Sequence, residues 1–198
     1  MRFVSTFLEA LFPTRPDYRR VQSLTVSDIH SRYAPIQIHG HLALSSFADP
    51  DIRACVHECK YHENANATAL LAGLLRTWLK NQTHSYVVVP VPLSRQRQRK
   101  RGYNQVTKVA KVAGMSLDER VLLRTKDTTP QTQLDKAARR TNVRDIFAIH
   151  PLANPNRYRE THLLLLDDVT TTGTTLSEAA KTLRALKPAS LTTIALAH

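Results

Sequence analysis

The string Leu163-Leu164-Leu165-Leu166-Asp167-Asp168-Val169-Thr170-Thr171-Thr172-Gly173-Thr174-Thr175 constrains this chain more than any other stretch. Four successive leucines predict a β-strand buried on both faces, as in a parallel sheet covered by helices. The strand ends on two adjacent carboxylates, and in open α/β sheets ligands bind at the carboxyl ends of the strands. Small hydroxyl side chains around one glycine follow, then the helical spacing Leu176, Ala179, Ala180, Leu183, Leu186. At such a turn the first N–H groups of the helix lack intrahelical partners and the helix dipole turns its positive end toward them, which makes an anion site. Threonine hydroxyls add donors to a phosphate, and Gly173 lets the backbone approach closely. Two like charges side by side are costly unless they meet a cation, hydrated Mg²⁺ or sugar hydroxyls. Phosphate donors beside adjacent acids therefore suit a ribose 5-phosphate. The plainer alternative is a βα turn with threonine caps and solvated acids, and the complete string favours the site.

The remaining pattern places this string in a parallel α/β domain. Tyr86 to Val89 and Leu191 to Ala197 read as buried strands, and Tyr103 to Ala113 as a helix between the first strand and the short apolar Val121 to Leu123. Strand, helix, strand, helix, strand with apolar strands indicates a central parallel sheet flanked by helices. Upstream, Asp49-Pro50-Asp51 starts a helix with Ile52, Val56 and Cys59 facing inward, and Asn66 to Leu79 forms a longer helix burying Leu70, Leu71, Leu74, Leu75 and Trp78. Ile36 to Phe47 alternates enough for one or two strands. The stretch before Pro35 is polar and reads as irregular, preceded by a short amphipathic helix over Arg2 to Leu11 that Pro13 and Pro16 end. The division is then an N-terminal helix and irregular segment, 1–46, and the α/β domain, 47–198.

Composition limits the rest. At 198 residues the chain can bury a sizeable core. Nowhere does it carry the apolar run of about 18 residues that a membrane-spanning helix requires. The N-terminal apolar stretch is broken by Glu9 and has no small-residue cleavage site, so it is read as an amphipathic helix in a cytoplasmic protein rather than a signal peptide. Two cysteines, Cys55 and Cys59, are too few for a disulfide framework and are expected to be reduced, although His57 and His62 stand nearby. A formal net charge of +12 calls for an anionic partner, either nucleic acid or a phosphorylated small molecule.

The strand, acidic pair and Thr/Gly loop resemble the motif of type I phosphoribosyltransferases that binds 5-phosphoribosyl-1-pyrophosphate (PRPP). By that resemblance Asp167 and Asp168 hold the ribose hydroxyls and Mg²⁺, and Thr171, Thr172, Gly173, Thr174 and Thr175 cradle the 5-phosphate. Thr171 stands where several purine-salvage members carry an aspartate that assists the base, which argues against a purine acceptor. Further upstream, Val89-Pro90-Val91-Pro92-Leu93-Ser94 and Arg101-Gly102-Tyr103-Asn104-Gln105 resemble the ComF/GntX group of phosphoribosyltransferase-domain proteins, which has a competence member. So do Lys60-Tyr61 and the segment Arg124, Lys126, Gln131, Gln133, Leu134, Arg139, Arg140, Asn142, Val143, Phe147. The group implies pyrophosphate binding by Ser94, Arg95 and Lys60, catalytic roles for Asp167, Asp168, Arg124 and Lys126, and dimerisation. It commonly opens with a four-cysteine zinc ribbon after a Phe-Pro pair. Here Phe12-Pro13 is followed by Thr14-Arg15-Pro16-Asp17 and no cysteine precedes Cys55, so the N-terminal segment reads as a ribbon remnant and no zinc is expected.

Two basic segments remain. Arg95, Arg97, Arg99, Lys100 and Arg101 are read as a loop after the first core strand, where type I enzymes hold pyrophosphate. Their number exceeds what one diphosphate needs, so Arg97, Arg99, Lys100 and Arg101, with Tyr103 as a stacking ring, are candidates for single-stranded DNA. The polar segment from Arg124 to Arg140 is long enough to act as a lid whose cations meet departing pyrophosphate. The expected function is a Mg-dependent, PRPP-binding phosphoribosyltransferase-like protein acting in DNA uptake alongside the uptake machinery. The alternatives are a non-catalytic single-stranded-DNA-binding competence factor and a PRPP-sensing regulator.

Overall fold

The computed structural model describes residues 15–126 and 146–198; the helix expected over Arg2 to Leu11 and most of the lid expected after Arg124, including Arg139 and Arg140, lie outside them. In chain order the elements are α1 (Pro16–Ser23), α2 (Val26–His30), β1 (Ile36–Ile38), β2 (His41–Ala43), α3 (Pro50–Tyr61), α4 (Ala65–Leu79), β3 (Tyr86–Pro90), α5 (Arg95–Arg101) and α6 (Gln105–Val112). They continue with β4 (Ser116–Leu117), β5 (Leu122–Arg124), β6 (Phe147–Ile149), β7 (His162–Val169), α7 (Thr174–Arg184) and β8 (Ser190–Ala197).

Six strands form the main sheet in the order β1-β2-β8-β7-β3-β4, parallel throughout except for the β1–β2 pair, while β5 and β6 make a separate antiparallel pair. Successive strand side chains point to opposite faces, and the leucine run divides accordingly. Leu164 and Leu166 join Val88, Ile194 and residues of α3, α4 and α6 on one face. Leu163 and Leu165 join Val89, Ala195, residues of α7 and the β5–β6 pair on the other. Both faces of β7 are therefore apolar, as its unbroken leucines require. Residues 36–43, which the division at 46 assigns to the N-terminal segment, are strands of this same sheet.

Two expectations are corrected. The stretch before Pro35 is not irregular: Pro16 sits in the first turn of α1, and Thr25 and Asp28 make a reciprocal capping box that starts α2. Val21 and Ile29 anchor both helices in the core, and Arg20 and Arg32 both pair with the buried Asp51 of α3. The basic run 95–101 is not a loop either. The Ser94 hydroxyl accepts the Arg97 N–H, Gly102 closes the helix in the left-handed conformation at φ 77°, and the arginines, glutamines and lysine between them are good helix formers.

The topology fixes where a ligand can enter. From β3 the chain passes through α6, on the first face, to β4 at one side of the sheet; from β7 it passes through α7, on the second face, to β8 at the other. The chain thus leaves the neighbouring strands β3 and β7 in opposite directions, which opens a crevice between their carboxyl ends. Pro90, the last residue of β3, pairs with Leu166, so β7 runs on past the end of β3 and carries Asp167 and Asp168 in its last three residues.

Candidate functional site

The crevice is a cleft of about 320 Å³. Val91, Pro92 and Leu93 form the wall after β3, Asp167, Asp168 and Val169 at the end of β7 with Thr171 and Thr175 after it form the facing wall, and Lys60, Arg97, Arg101, Gln105 and Arg124 reach in from α3, α5, α6 and β5. A second hollow of about 390 Å³ shares Pro92 and Leu93 with it and takes in Tyr103, Lys108 and Glu119 but none of the expected phosphate residues.

The acidic pair is not one feature. By strand alternation Asp168 belongs to the face of Leu164 and Leu166, beneath α3 and α6, whereas Asp167 belongs to the face of Leu163 and Leu165. Asp168 is buried, and its Oδ2 accepts from Lys60 Nζ at 2.7 Å and Gln105 Nε2 at 2.5 Å, while Oδ1 accepts the Val169 N–H at 2.7 Å. Burial alone would raise its pKa, but the Lys60 ammonium and these hydrogen bonds outweigh it and hold the carboxyl below the usual range. Asp167 is partly exposed to the cleft and accepts the Asp168 N–H at 2.9 Å. Burial of its carboxyl, and then the charge of Asp168, push it up to about 7. Asp168 is thus a fixed anion, and Asp167 a carboxyl poised to accept a hydrogen bond or a cation.

Two of these groups extend into a network. Arg101 Nη1 donates to Gln105 Oε1 at 3.1 Å and its guanidinium lies over the Tyr61 ring at 5.0 Å, so α5, α6 and the end of α3 are tied around Asp168. Gln105 has no site role in the sequence reading, although it closes the Arg101–Gln105 motif and starts α6 after the Asn104 cap.

The Thr/Gly segment forms the turn from β7 into α7. The Thr170 N–H is spent on the Ala197 carbonyl, Gly173 sits at the N-cap of α7 with φ 69°, and Thr172 and Thr174 share a hydroxyl hydrogen bond at 2.8 Å. Beneath the loop lies His41 of β2, also unforeseen. Its ring nitrogens stand 2.8 Å from Thr193 Oγ1 and Ser177 Oγ, and a Cβ on Gly173 would lie 2.7 Å from its Cδ2. Burial lowers the His41 pKa, so the loop rests on a neutral imidazole near pH 7.

The other expected residues are dispersed. Ser94 is buried as the cap of α5 and does not line the cleft. Arg95, Arg99 and Lys100 are exposed on α5 outside it, whereas Arg97 and Arg101, expected to meet nucleic acid, line it. Tyr103 donates its hydroxyl to the Cys59 carbonyl at 2.8 Å and lies under Lys108, so it is committed to holding α3 against α6. Arg124 packs over Phe147 at the mouth, and Lys126 is exposed. Cys55 and Cys59 are free and buried, and burial pushes the Cys55 thiol up to about 12. Among the described residues no helix is long and apolar enough to cross a membrane.

No family model matches the chain. Competence protein F of Haemophilus influenzae is 38% identical over 103 residues, covering 50% of this chain and 44% of that protein. DNA utilization protein YhgH of Salmonella typhi is 28% identical over 145 residues, 68% of this chain and 61% of that one. The alignments therefore span less than two thirds of these relatives. Among solved structures, adenine phosphoribosyltransferase from Leishmania tarentolae superposes with a TM-score of 0.42 at 10% identity, covering 87% of this chain and 73% of that one. The allosteric regulatory enzyme of purine biosynthesis gives 0.41 at 17% identity, covering 72% and 30%.

Proposed function

We propose that this chain, ComF-like by its sequence relatives, binds the magnesium complex of PRPP in the switch-point cleft and transfers its ribose phosphate. One observation carries the reading: a single crevice brings together Asp167, Thr171 and Thr175 of the Thr/Gly loop at the start of α7, and Arg97, Arg101 and Arg124. These match the three parts of a phosphorylated, diphosphate-bearing sugar: hydroxyls, phosphate and diphosphate.

The 5-phosphate takes the backbone N–H groups and threonine hydroxyls of 171–175. Asp167 accepts from a ribose hydroxyl, with Asp168 held rigid beside it by Lys60 and Gln105. The diphosphate faces the arginines, whose planar donors match its oxygens. The donor set also fits magnesium: Asp167 is a hard oxygen ligand with no ion pair among the described residues, and the ion would neutralise diphosphate charge between Asp167 and the substrate's own oxygens. In the transfer the C1–O bond to pyrophosphate breaks, positive charge develops on the ribose ring, and an acceptor nucleophile takes the vacated carbon. The protein supplies placement and charge compensation rather than a covalent partner.

Pyrophosphate release from Mg-PRPP, assayed with a panel of nucleobases, amines and oligonucleotides as acceptors, tests turnover. Release with at least one acceptor is expected, whereas tight binding without release under any condition marks a PRPP sensor instead. Replacing Arg97 and Arg101 together by alanine is expected to weaken PRPP binding more than about tenfold, one charged hydrogen bond's worth or more. Affinity for ribose 5-phosphate, which lacks the diphosphate, stays within about twofold. Equal losses for both ligands would move the diphosphate elsewhere.

A second reading concerns the outer surface of α5, where Arg99 and Lys100 are exposed away from the cleft. With relatives named for competence and DNA utilization, that surface supports single-stranded DNA as a partner in DNA uptake. Replacing Arg99 and Lys100 by alanine should flatten the slope of log K against log salt for an oligonucleotide by about 1.4, at about 0.7 for each phosphate that is no longer neutralised, and leave PRPP affinity unchanged. An unchanged slope would remove α5 from any role in holding DNA.

A further inference from the structure

A polar cluster around the last turn of α3, made of His57, Glu58 and His62, contributes no residue to the cleft lining. His57 and His62 are exposed, Glu58 between them is wholly buried, and one ligating atom from each lies within 4.8 Å of the others. We propose that His57, Glu58 and His62 bind a divalent transition-metal ion, zinc before others, and that this ion clips the end of α3 to α1. Two imidazoles with one carboxylate suit zinc rather than magnesium or calcium, which prefer an all-oxygen shell.

The spacing carries the proposal. His62 Nε2 stands 4.0 Å from Glu58 Oε1, too far for a hydrogen bond. Two zinc bonds of about 2.1 Å each span about 3.4 Å in a tetrahedron and about 4.2 Å in line, so the gap has the width of an intervening ion. Glu58 keeps a lone pair for it. Among the described residues Oε2 accepts from Arg15 Nη2 and Asn64 Nδ2, both at 3.1 Å, whereas Oε1 accepts from Arg15 Nε alone, at 3.0 Å. Arg15 and Asn64 also hold the carboxylate in place, as hydrogen-bonded outer groups do for metal-ligating carboxylates. Asp17 of α1 stands 3.0 Å from His57 Nδ1. It can accept a hydrogen bond from Nδ1–H, which would leave Nε2 as the basic nitrogen for the ion, or rotate in as a fourth ligand.

Such an ion would link α1 through Asp17, the last turn of α3 through His57 and Glu58, and the turn into α4 through His62, the C-cap of α3. Lys60 lies in that same turn, so the clip would stiffen the segment that presents its ammonium to Asp168. The site is independent of PRPP, and its test uses none.

The full-length chain is stripped with chelator and titrated with Co²⁺ as a spectroscopic probe, then with Zn²⁺ in competition. One ion per chain is expected, with the visible absorption of tetrahedral cobalt displaced by zinc. His57→Ala and His62→Ala each weaken zinc binding at least about tenfold, the loss typical of a ligand or its support, while Cys55→Ser with Cys59→Ser leaves it unchanged. Both histidines are exposed, so far-ultraviolet circular dichroism should show folded variants, and His57→Gln with His62→Gln provides a second, bulkier pair. A titration unsaturated at millimolar cobalt would overturn the proposal. So would binding that survives either histidine pair or is lost with the cysteines.

Discussion

Replacing Asp167 by asparagine should raise the unfolding midpoint at pH 8 and weaken Mg-PRPP binding by more than about tenfold, while the same change at Asp168 should lower the midpoint. The neighbours differ because of what faces them. Asp167 holds its proton up to about pH 7 in the folded protein, through burial and the charge of Asp168, whereas an unfolded aspartate titrates near pH 3.9. Between those values the unfolded chain releases the proton and the folded chain keeps it, so stability falls as pH rises from about 4 to about 7. Asparagine removes that cost: its gain over the wild type is near zero at pH 4 and complete above pH 7. Asp168 has the opposite sign. Its lowered pKa means that its ionised form stabilises the fold above the unfolded value and that this is lost on acidification. Asparagine there leaves the Lys60 ammonium without its counter-charge in a mostly buried place, a loss of about 3 kcal/mol. Urea unfolding of both variants from pH 4 to pH 8 measures the contrast, and two variants destabilised alike at pH 8 would refute it.

Gly173→Ala should be the most damaging single change in the phosphate loop. Position 173 holds φ 69°, where a side chain is strained, and the new Cβ would meet His41 Cδ2 at 2.7 Å. Left-handed strain together with overpacking predicts a loss of about 2–4 kcal/mol. His41 cannot easily give way, since Thr193 and Ser177 hold both its nitrogens. PRPP binding should fall with it, because the loop can relax only by lifting away from β2. Gly114→Ala is the control: its φ is 79°, but a Cβ there meets nothing within 4 Å, so it should cost about 1–2 kcal/mol and leave PRPP affinity intact. Equal stability losses for the two would show that the packing of Gly173 on His41 carries no weight.

What the sequence revealed, and what it hid, divides along the range of the interactions. The strand, acids and loop of 163–175 were legible because each rests on neighbours a few residues away: leucines for burial on both faces, threonines and Gly173 for the turn. The helix starts at Asp49 and Asn64 carry their own caps. Lys60–Asp168–Gln105 and the seat of Gly173 on His41 were not legible, since they join residues from separate elements that only the sheet order brings together. The helix at 95–101 lies between. Its charges read as a solvated loop, yet Ser94 before the run and Gly102 after it are ordinary helix punctuation, and they could have found it. The Thr25–Asp28 capping box is the same kind of overlooked local sign. The helix also re-sorted the charges. Along α5 it turned Arg97 and Arg101 into the cleft and left Arg99 and Lys100 outside, a division that a loop reading cannot make.

Calorimetric titration of Mg-PRPP into the wild-type chain and into Asp167→Asn tests the switch-point cleft most directly. The expected result is one PRPP site per chain that requires magnesium, with affinity more than about tenfold weaker in the variant, at least about 1.4 kcal/mol. Absence of PRPP binding by the wild type, or equal affinity in a folded Asp167→Asn variant, would contradict it.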